Sequence, residues 1–138
     1  KMKRIILFTA AIVLLSACSS APQADLFGEW ALVSYGDKTN PTPALPEVDT
    51  SITIKDGQLS GNVGCNSFGG QYQIKGDSIS FGSIMSTEMY CDATWAQEQG
   101  VLAVFSSGTL KAVLSDNVLT LTAADGSVVI LSRRDNSY

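Results

Sequence analysis

Histidine is absent from this 138-residue chain, and basic residues, cysteine and proline are all scarce. Without an imidazole there is no Ser-His-Asp or Cys-His catalysis, and a zinc site loses its usual nitrogen ligand. No Ser-x-x-Lys occurs, so serine–lysine chemistry is not signalled either, and phosphate-loop, EF-hand and dinucleotide signatures are missing. Long apolar runs are lacking too. The longest, Ile5 to Leu15, falls short of the roughly 20 residues a transmembrane helix needs. Three of the four prolines (Pro41, Pro43 and Pro46) lie between Gly36 and Asp49, a stretch without apolar periodicity. It reads as a surface loop inserted after the first strand, with a functional loop as the alternative.

What is present begins with a cationic start, Lys1-Met2-Lys3-Arg4, followed by the apolar run and then Leu15-Ser16-Ala17-Cys18. The order is that of a secretory signal, and the last four residues resemble the lipobox of bacterial lipoproteins. The expectation is a signal peptide over 1–17, a lipidated Cys18, and a small, polar tether over 18–25. An ordinary signal peptide cut near Ala17 is the alternative. Each buried methylene of an acyl chain contributes about 0.8 kcal/mol, so two or more chains give a stable membrane anchor. Ser19 and Ser20, where aspartate favours retention at the inner membrane, imply the periplasmic face of the outer membrane. Loss of residues 1–17 removes three of nine cations and none of thirteen carboxylates, which leaves a formal charge of −7. Such an acidic surface argues against a nucleic-acid partner and against electrostatic docking on anionic lipid. The roughly 120 remaining residues make one domain with one core.

From Leu26 the pattern is of short strands. Leu26 to Tyr35 reads as the first, apolar on both faces near its middle. Ile52 and Ile54 alternate with polar neighbours, Asp56-Gly57 supplies a favoured hairpin turn, and a return strand starts near Leu59. Gln71–Lys75 and Ser78–Phe81 flank Gly76-Asp77, and three later strands, 109–114, 118–122 and 127–132, are separated by Asp116-Asn117 and Asp125-Gly126. Val128–Leu131, apolar on both faces, predicts a central strand. Between Asp92 and Phe105 the period changes: Trp95, Val101, Leu102 and Phe105 share one helical face, and Thr94 with Gln97 has capping-box spacing. The predicted fold is therefore α+β, a mainly antiparallel sheet of about seven or eight short strands with one packed helix. Periodicity leaves open whether the sheet closes into a barrel.

The chain is punctuated by Gly61-Asn62-Val63-Gly64-Cys65-Asn66-Ser67-Phe68-Gly69-Gly70-Gln71-Tyr72. Its glycines signal positive φ, a bulge or a close backbone approach. This pattern, with Gly28-x-Trp30-x-Leu32 before it and Ser86-Thr87-Glu88-Met89-Tyr90-Cys91 after it, resembles the META domain, the HslJ-like family of small bacterial envelope proteins. The likeness spans nearly all of 26–135 and departs from the family pattern at Glu88, where a basic residue is common, and at Tyr90. It implies a non-enzymatic role in envelope stress tolerance, including heat and some antibiotics, through contact with an envelope protein. Gly61, Gly64, Asn66, Phe68, Gly70 and Tyr72 would supply a contact surface. Gly28-x-Trp30 is also similar to the opening of lipocalins. That likeness implies a carrier of small apolar ligands, with a pocket lined by Trp30, Tyr72, Ile79 or Phe105.

Cys65 and Cys91 lie in the two best-marked family motifs, which implies a disulfide in an oxidising compartment. Closing a loop of about 27 residues stabilises by roughly 3–4 kcal/mol in the chain-entropy model. A redox or nucleophilic thiol remains open as a second reading and a metal site as a third, though neither a C-x-x-C motif nor enough ligands is visible. No cofactor is expected. Glu88, Asp92 and Glu98 read as the solvated rim of the helix start, or alternatively as an acid–base pair. Asn66 reads as a turn-former or a ligand-contacting amide. Phe68, Tyr72 and Trp95 read as core. Replacement Cys18→Ala is expected to move the protein from the membrane to the soluble fraction; a variant that still sediments with membranes rules out the anchor.

Overall fold

The computed structural model describes residues 26–134; the segments expected as signal peptide (1–17) and as lipidated Cys18 with its tether (18–25) lie outside them. Ten strands and one helix follow in order. They are β1 (Gly28–Asp37), β2 (Thr42–Pro43), β3 (Ser51–Lys55), β4 (Gln58–Asn62), β5 (Ser67–Lys75), β6 (Ser78–Phe81), β7 (Met85–Ser86), α1 (Trp95–Phe105), β8 (Thr109–Ser115), β9 (Val118–Thr122) and β10 (Ser127–Arg133). Eight of these strands pair antiparallel in the order β1-β3-β4-β5-β6-β8-β9-β10, and β10 returns to β1. The sheet thus closes into a barrel. Closure leaves no long unpaired edge. The two-residue strands β2 and β7 add onto β1 and β5.

Tight turns make one end of the barrel. Asp56 and Gly57 both take positive φ (51° and 78°), as a type I′ turn requires, and Gly76 and Asp116 open the other two turns at 61° and 52°. In an up-and-down barrel the connections alternate ends, so the longer segments 38–50, 63–66, 82–94 and 123–126 gather at the other end, called here the mouth. The proline-rich stretch is less irregular than expected: β1 continues to Asp37 and β2 lies within it.

Strand β1 explains its own two-faced pattern. Trp30 and Leu32 point inward, and the register with β10 then shifts between Leu32 and Ser34. This bulge leaves Val33 exposed and resets the alternation. Ser34 pairs with Ile130 and Tyr35 with the fully buried Val129, so it is Tyr35 that faces the interior. Its ring lies against Gly100 of α1, where a Cβ would collide with it. Gly100, a poor helix residue, is thereby accounted for by a close approach. The Leu32 N–H, past the last β3 rung, donates to the Thr50 hydroxyl at 2.8 Å.

Helix α1 covers the mouth. It buries Val101, Val104 and Phe105, and the Phe105 ring meets Phe81 and Phe68 at centroid distances of 5.0 and 5.9 Å. Toward the far end Trp30 is wholly buried, its indole N–H donates to the Leu26 carbonyl, and the Arg133 guanidinium lies 4.4 Å from its ring centroid. Ile52, Ile54, Leu59, Ile79, Leu110 and Leu131 fill the space between. The pocket expected between sheet and helix is accordingly occupied by the residues meant to line it: Trp30, Ile79 and Phe105 are each at most 1% exposed. Tyr72 is half-buried on the wall beside Phe27. Phe105→Ala should lower unfolding free energy by about 3–5 kcal/mol, measured by urea denaturation; a loss under about 1 kcal/mol would mean that α1 does not seal the barrel.

Candidate functional site: the stapled mouth

The mouth is built from the β4–β5 connection, the segment between β6 and α1, and the first turns of α1. A disulfide joins Cys65 to Cys91, with Cα atoms 6.2 Å apart, inside the range such a bond spans. It ties the first segment to the second just before the helix begins.

Beneath the disulfide sits Glu98. Far from forming a solvated rim, it is 3% exposed. Its Oε1 accepts from the backbone N–H of Cys65, from the N–H of Asn66 at 3.3 Å and from the Thr94 hydroxyl at 2.9 Å. Its Oε2 accepts from the Asn66 side-chain amide at 2.8 Å. All four donors are uncharged, and Glu98 lies in the first turn of α1, where the helix dipole favours an anion. Burial pushes the Glu98 carboxyl upward, but the hydrogen bonds from Cys65, Asn66 and Thr94 outweigh it and hold the pKa below the ordinary value. The capping box expected from Thr94 and Gln97 does not form: Thr94 makes no side-chain cap, and its hydroxyl turns to Glu98 instead.

Gln97 is freed for another task. Its amide donates to the Val63 carbonyl at 2.5 Å and accepts from the Leu45 N–H at 2.8 Å, which links the proline-rich segment to the mouth. Asn66 uses both ends of its side-chain amide. Its amide nitrogen also donates to the Met89 carbonyl, and its oxygen accepts from the Thr87 hydroxyl and the Met89 N–H, both at 2.8 Å. It is neither a left-handed turn-former, since such φ values among described non-glycine residues fall at Asp56 and Asp116, nor an amide open to a ligand.

The motif glycines act by close approach. A Cβ on Gly64 would strike the Glu98 and Thr94 side chains, one on Gly61 the Ser51 carbonyl and the Phe68 ring, and one on Gly70 the Ile84 side chain and the Ser83 carbonyl at 3.0 Å. Strand pairing, rather than a loop, holds Gly61, Phe68, Gly70 and Tyr72. Phe68 is core at 5% exposure. Of the six motif residues expected to form a contact surface, Gly64 and Asn66 reach the mouth. Glu98 was missed as a structural anchor although Glu98, Val101 and Phe105 stand at i, i+3 and i+7, the spacing of one buried helical stripe. Trp95, expected in the core, is 47% exposed.

A cleft of about 340 Å³ opens above this network, lined by Met89, Tyr90, Trp95, Leu102 and Glu88, with Asn66 and Glu98 in its floor. Among the described residues no group of three or more His, Cys, Asp or Glu is placed to hold a metal ion.

Fold and mouth together define a small closed β-barrel, filled within and stapled at one end. The chain belongs to the META domain family, whose model matches residues 24–136. Among solved structures it is similar to a Burkholderia xenovorans protein determined by NMR, at 20% identity and TM-score 0.67, covering 95% of this chain and all of that one. A second protein determined by NMR matches at 18% identity and TM-score 0.62, over 81% of this chain and 93% of that one. A crystal structure of a DUF4847 family protein from Bacteroides vulgatus matches at 16% identity and TM-score 0.55, over 80% and 94%. At these identities the likeness is one of fold. No curated protein matches the chain significantly.

Because the folded carboxyl titrates below its unfolded value, Glu98 contributes stability that is full above the unfolded value, about 4.3, and lost as pH falls through the folded one. Glu98→Gln, which turns an N–H₂ toward existing donors, should cost about 2–3 kcal/mol at pH 7. The gap between variant and parent should narrow as pH drops below about 4. A gap independent of pH would show that the charge of Glu98 does not matter.

Proposed function

We propose that this META domain is the folded part of a lipoprotein, held through Cys18 at the periplasmic face of the outer membrane. It acts without catalysis, by contact with another envelope protein, in tolerance of envelope stress. The observation that carries this reading is the pairing of a filled barrel with a mouth fixed by the Cys65–Cys91 disulfide. A filled interior favours surface contact over carriage of a ligand, and a disulfide suits a compartment outside the cytoplasm.

The topology supports the anchoring geometry. Gly28 enters the barrel at the rim of tight turns, opposite the mouth. An anchor on Cys18 would hold that rim toward the bilayer and present the mouth to the periplasm. Among the described residues no helix is long and apolar enough to cross a membrane.

The test combines mass and phenotype. The soluble domain from Ser19 on, exported to the periplasm without its anchor and purified without reduction, should have a native mass about 2 Da below the reduced value with nothing bound. A strain lacking the protein should lose heat and antibiotic tolerance, which the parent restores and Cys18→Ala does not. A co-purified small molecule would replace this reading with the ligand carrier; full rescue by Cys18→Ala would remove the anchor from the mechanism.

A further inference from the structure

The cleft over the Asn66–Glu98 network has the composition of a recognition site. Residues 85–90 are exposed throughout, yet Cys91 and Asn66 hold the segment at both its side chains and its backbone. Met89 is 55% exposed, Tyr90 75% and Trp95 47%, and the two rings stand 5.9 Å apart, tilted by 45°. Exposed large apolar residues gathered at one place mark an interaction surface. Tyr90, its hydroxyl bonded to Asp92 and its ring beside that of Trp95, and Met89, fixed through its backbone, have less freedom left to lose on binding.

Charge selects the occupant. Glu88 stands on the cleft wall, Asp92 accepts a hydrogen bond from the Tyr90 hydroxyl at 3.1 Å, and the ionised Glu98 lies in the floor. No lysine or arginine lines the cleft. The cations of the described residues lie elsewhere: Lys55 and Lys75 precede tight turns, Lys111 pairs with Asp77 in such a turn, Arg133 ends β10 and Arg134 follows it. Lys38 alone among them follows β1 at the mouth end. The cleft therefore offers π faces and carboxylates with no competing basic group of its own.

Deepening the proposed function, and resting on its claim that the mouth contacts a protein, we infer that this cleft binds a basic peptide segment. An arginine or lysine of that segment lies against Tyr90 and Trp95 while its charge is met by Glu88 and Asp92. A cation within about 6 Å of an aromatic ring is attracted to its face, and arginine most often takes that place. Apolar neighbours in the peptide pack on Met89 and Leu102. Steering by the acidic rim makes binding sensitive to salt.

The probe is an array of randomised short peptides screened with the disulfide-intact domain, the best binders being remeasured in solution. Enrichment of arginine or lysine beside apolar residues is expected. Affinity should fall about ten-fold in Trp95→Ala and in Tyr90→Ala, and should fall again in 0.5 M salt, roughly. Both residues are exposed, so the variants should keep the parent's thermal unfolding midpoint; Glu88→Gln, with no packing role, gives an independent loss of salt dependence. Enrichment of peptides without basic residues, absence of any enriched peptide, or affinities unchanged in Trp95→Ala would overturn the inference. Equal binding of spermidine would assign the cleft to small cations instead. A Trp95→Ala protein that stays membrane-bound and fully restores stress tolerance rejects the cleft while leaving the lipoprotein role intact.

Discussion

Four uncharged donors converge on the carboxylate of Glu98, and the whole mouth is arranged around that convergence. A buried anion without such partners would be costly, and with them it fixes the direction of every group that reaches it. Gly64 is bare because the carboxylate occupies the place of its side chain. Asn66 is an amide because it must donate to Glu98 while accepting from Thr87 and Met89. The disulfide and the carboxylate divide the work. The covalent bond limits how far Cys65 and Cys91 can separate, whereas the hydrogen bonds set the orientation of the segments on either side. Neither substitutes for the other.

The hairpins were legible because their turns carry their own chemistry: Asp56-Gly57 and Gly76-Asp77 ask for backbone that few other pairs supply. Helix α1 was legible as a helix, and Val101, Leu102 and Phe105 of its expected face do pack on the core, but its first turn was not: Trp95 is exposed while Gln97 and Glu98 are buried. Gln97 and Glu98 are polar, and a pattern read by hydrophobicity assigns them to solvent; only their partners in the chain-distant segments around Val63, Cys65 and Asn66 bring them inside. Barrel closure was invisible for a related reason. It rests on pairing between β1 and β10, at opposite ends of the described chain, and local alternation carries no information about such a partner. Strands β2 and β7 are too short to show a period at all, and the bulge at Val33 has no marker residue.

The barrel is polarised. One rim consists of minimal turns, and the other carries the helix, the disulfide, the exposed aromatics and the proline-rich segment, which Gln97 ties in through Leu45. A filled, closed sheet makes a rigid base for such a rim, because its strands have no free edge to slide and its core leaves little room to repack. Fold alone does not specify activity; in this chain the rigid base carries a mouth with exposed Met89, Tyr90 and Trp95.

The seam between β1 and β10 has one further consequence. Trp30 faces Arg133 across it, and the Arg134 N–H donates to the Glu29 carbonyl at 2.9 Å, so the folded chain begins and ends side by side on the rim away from the mouth. Sequence order is then nearly arbitrary with respect to shape. A few residues joining the two ends, with a new break at Asp56-Gly57, would give a circular permutant with the same closed sheet. Likewise, a second domain fused before β1 or after β10 would emerge from the same place and leave the mouth unobstructed.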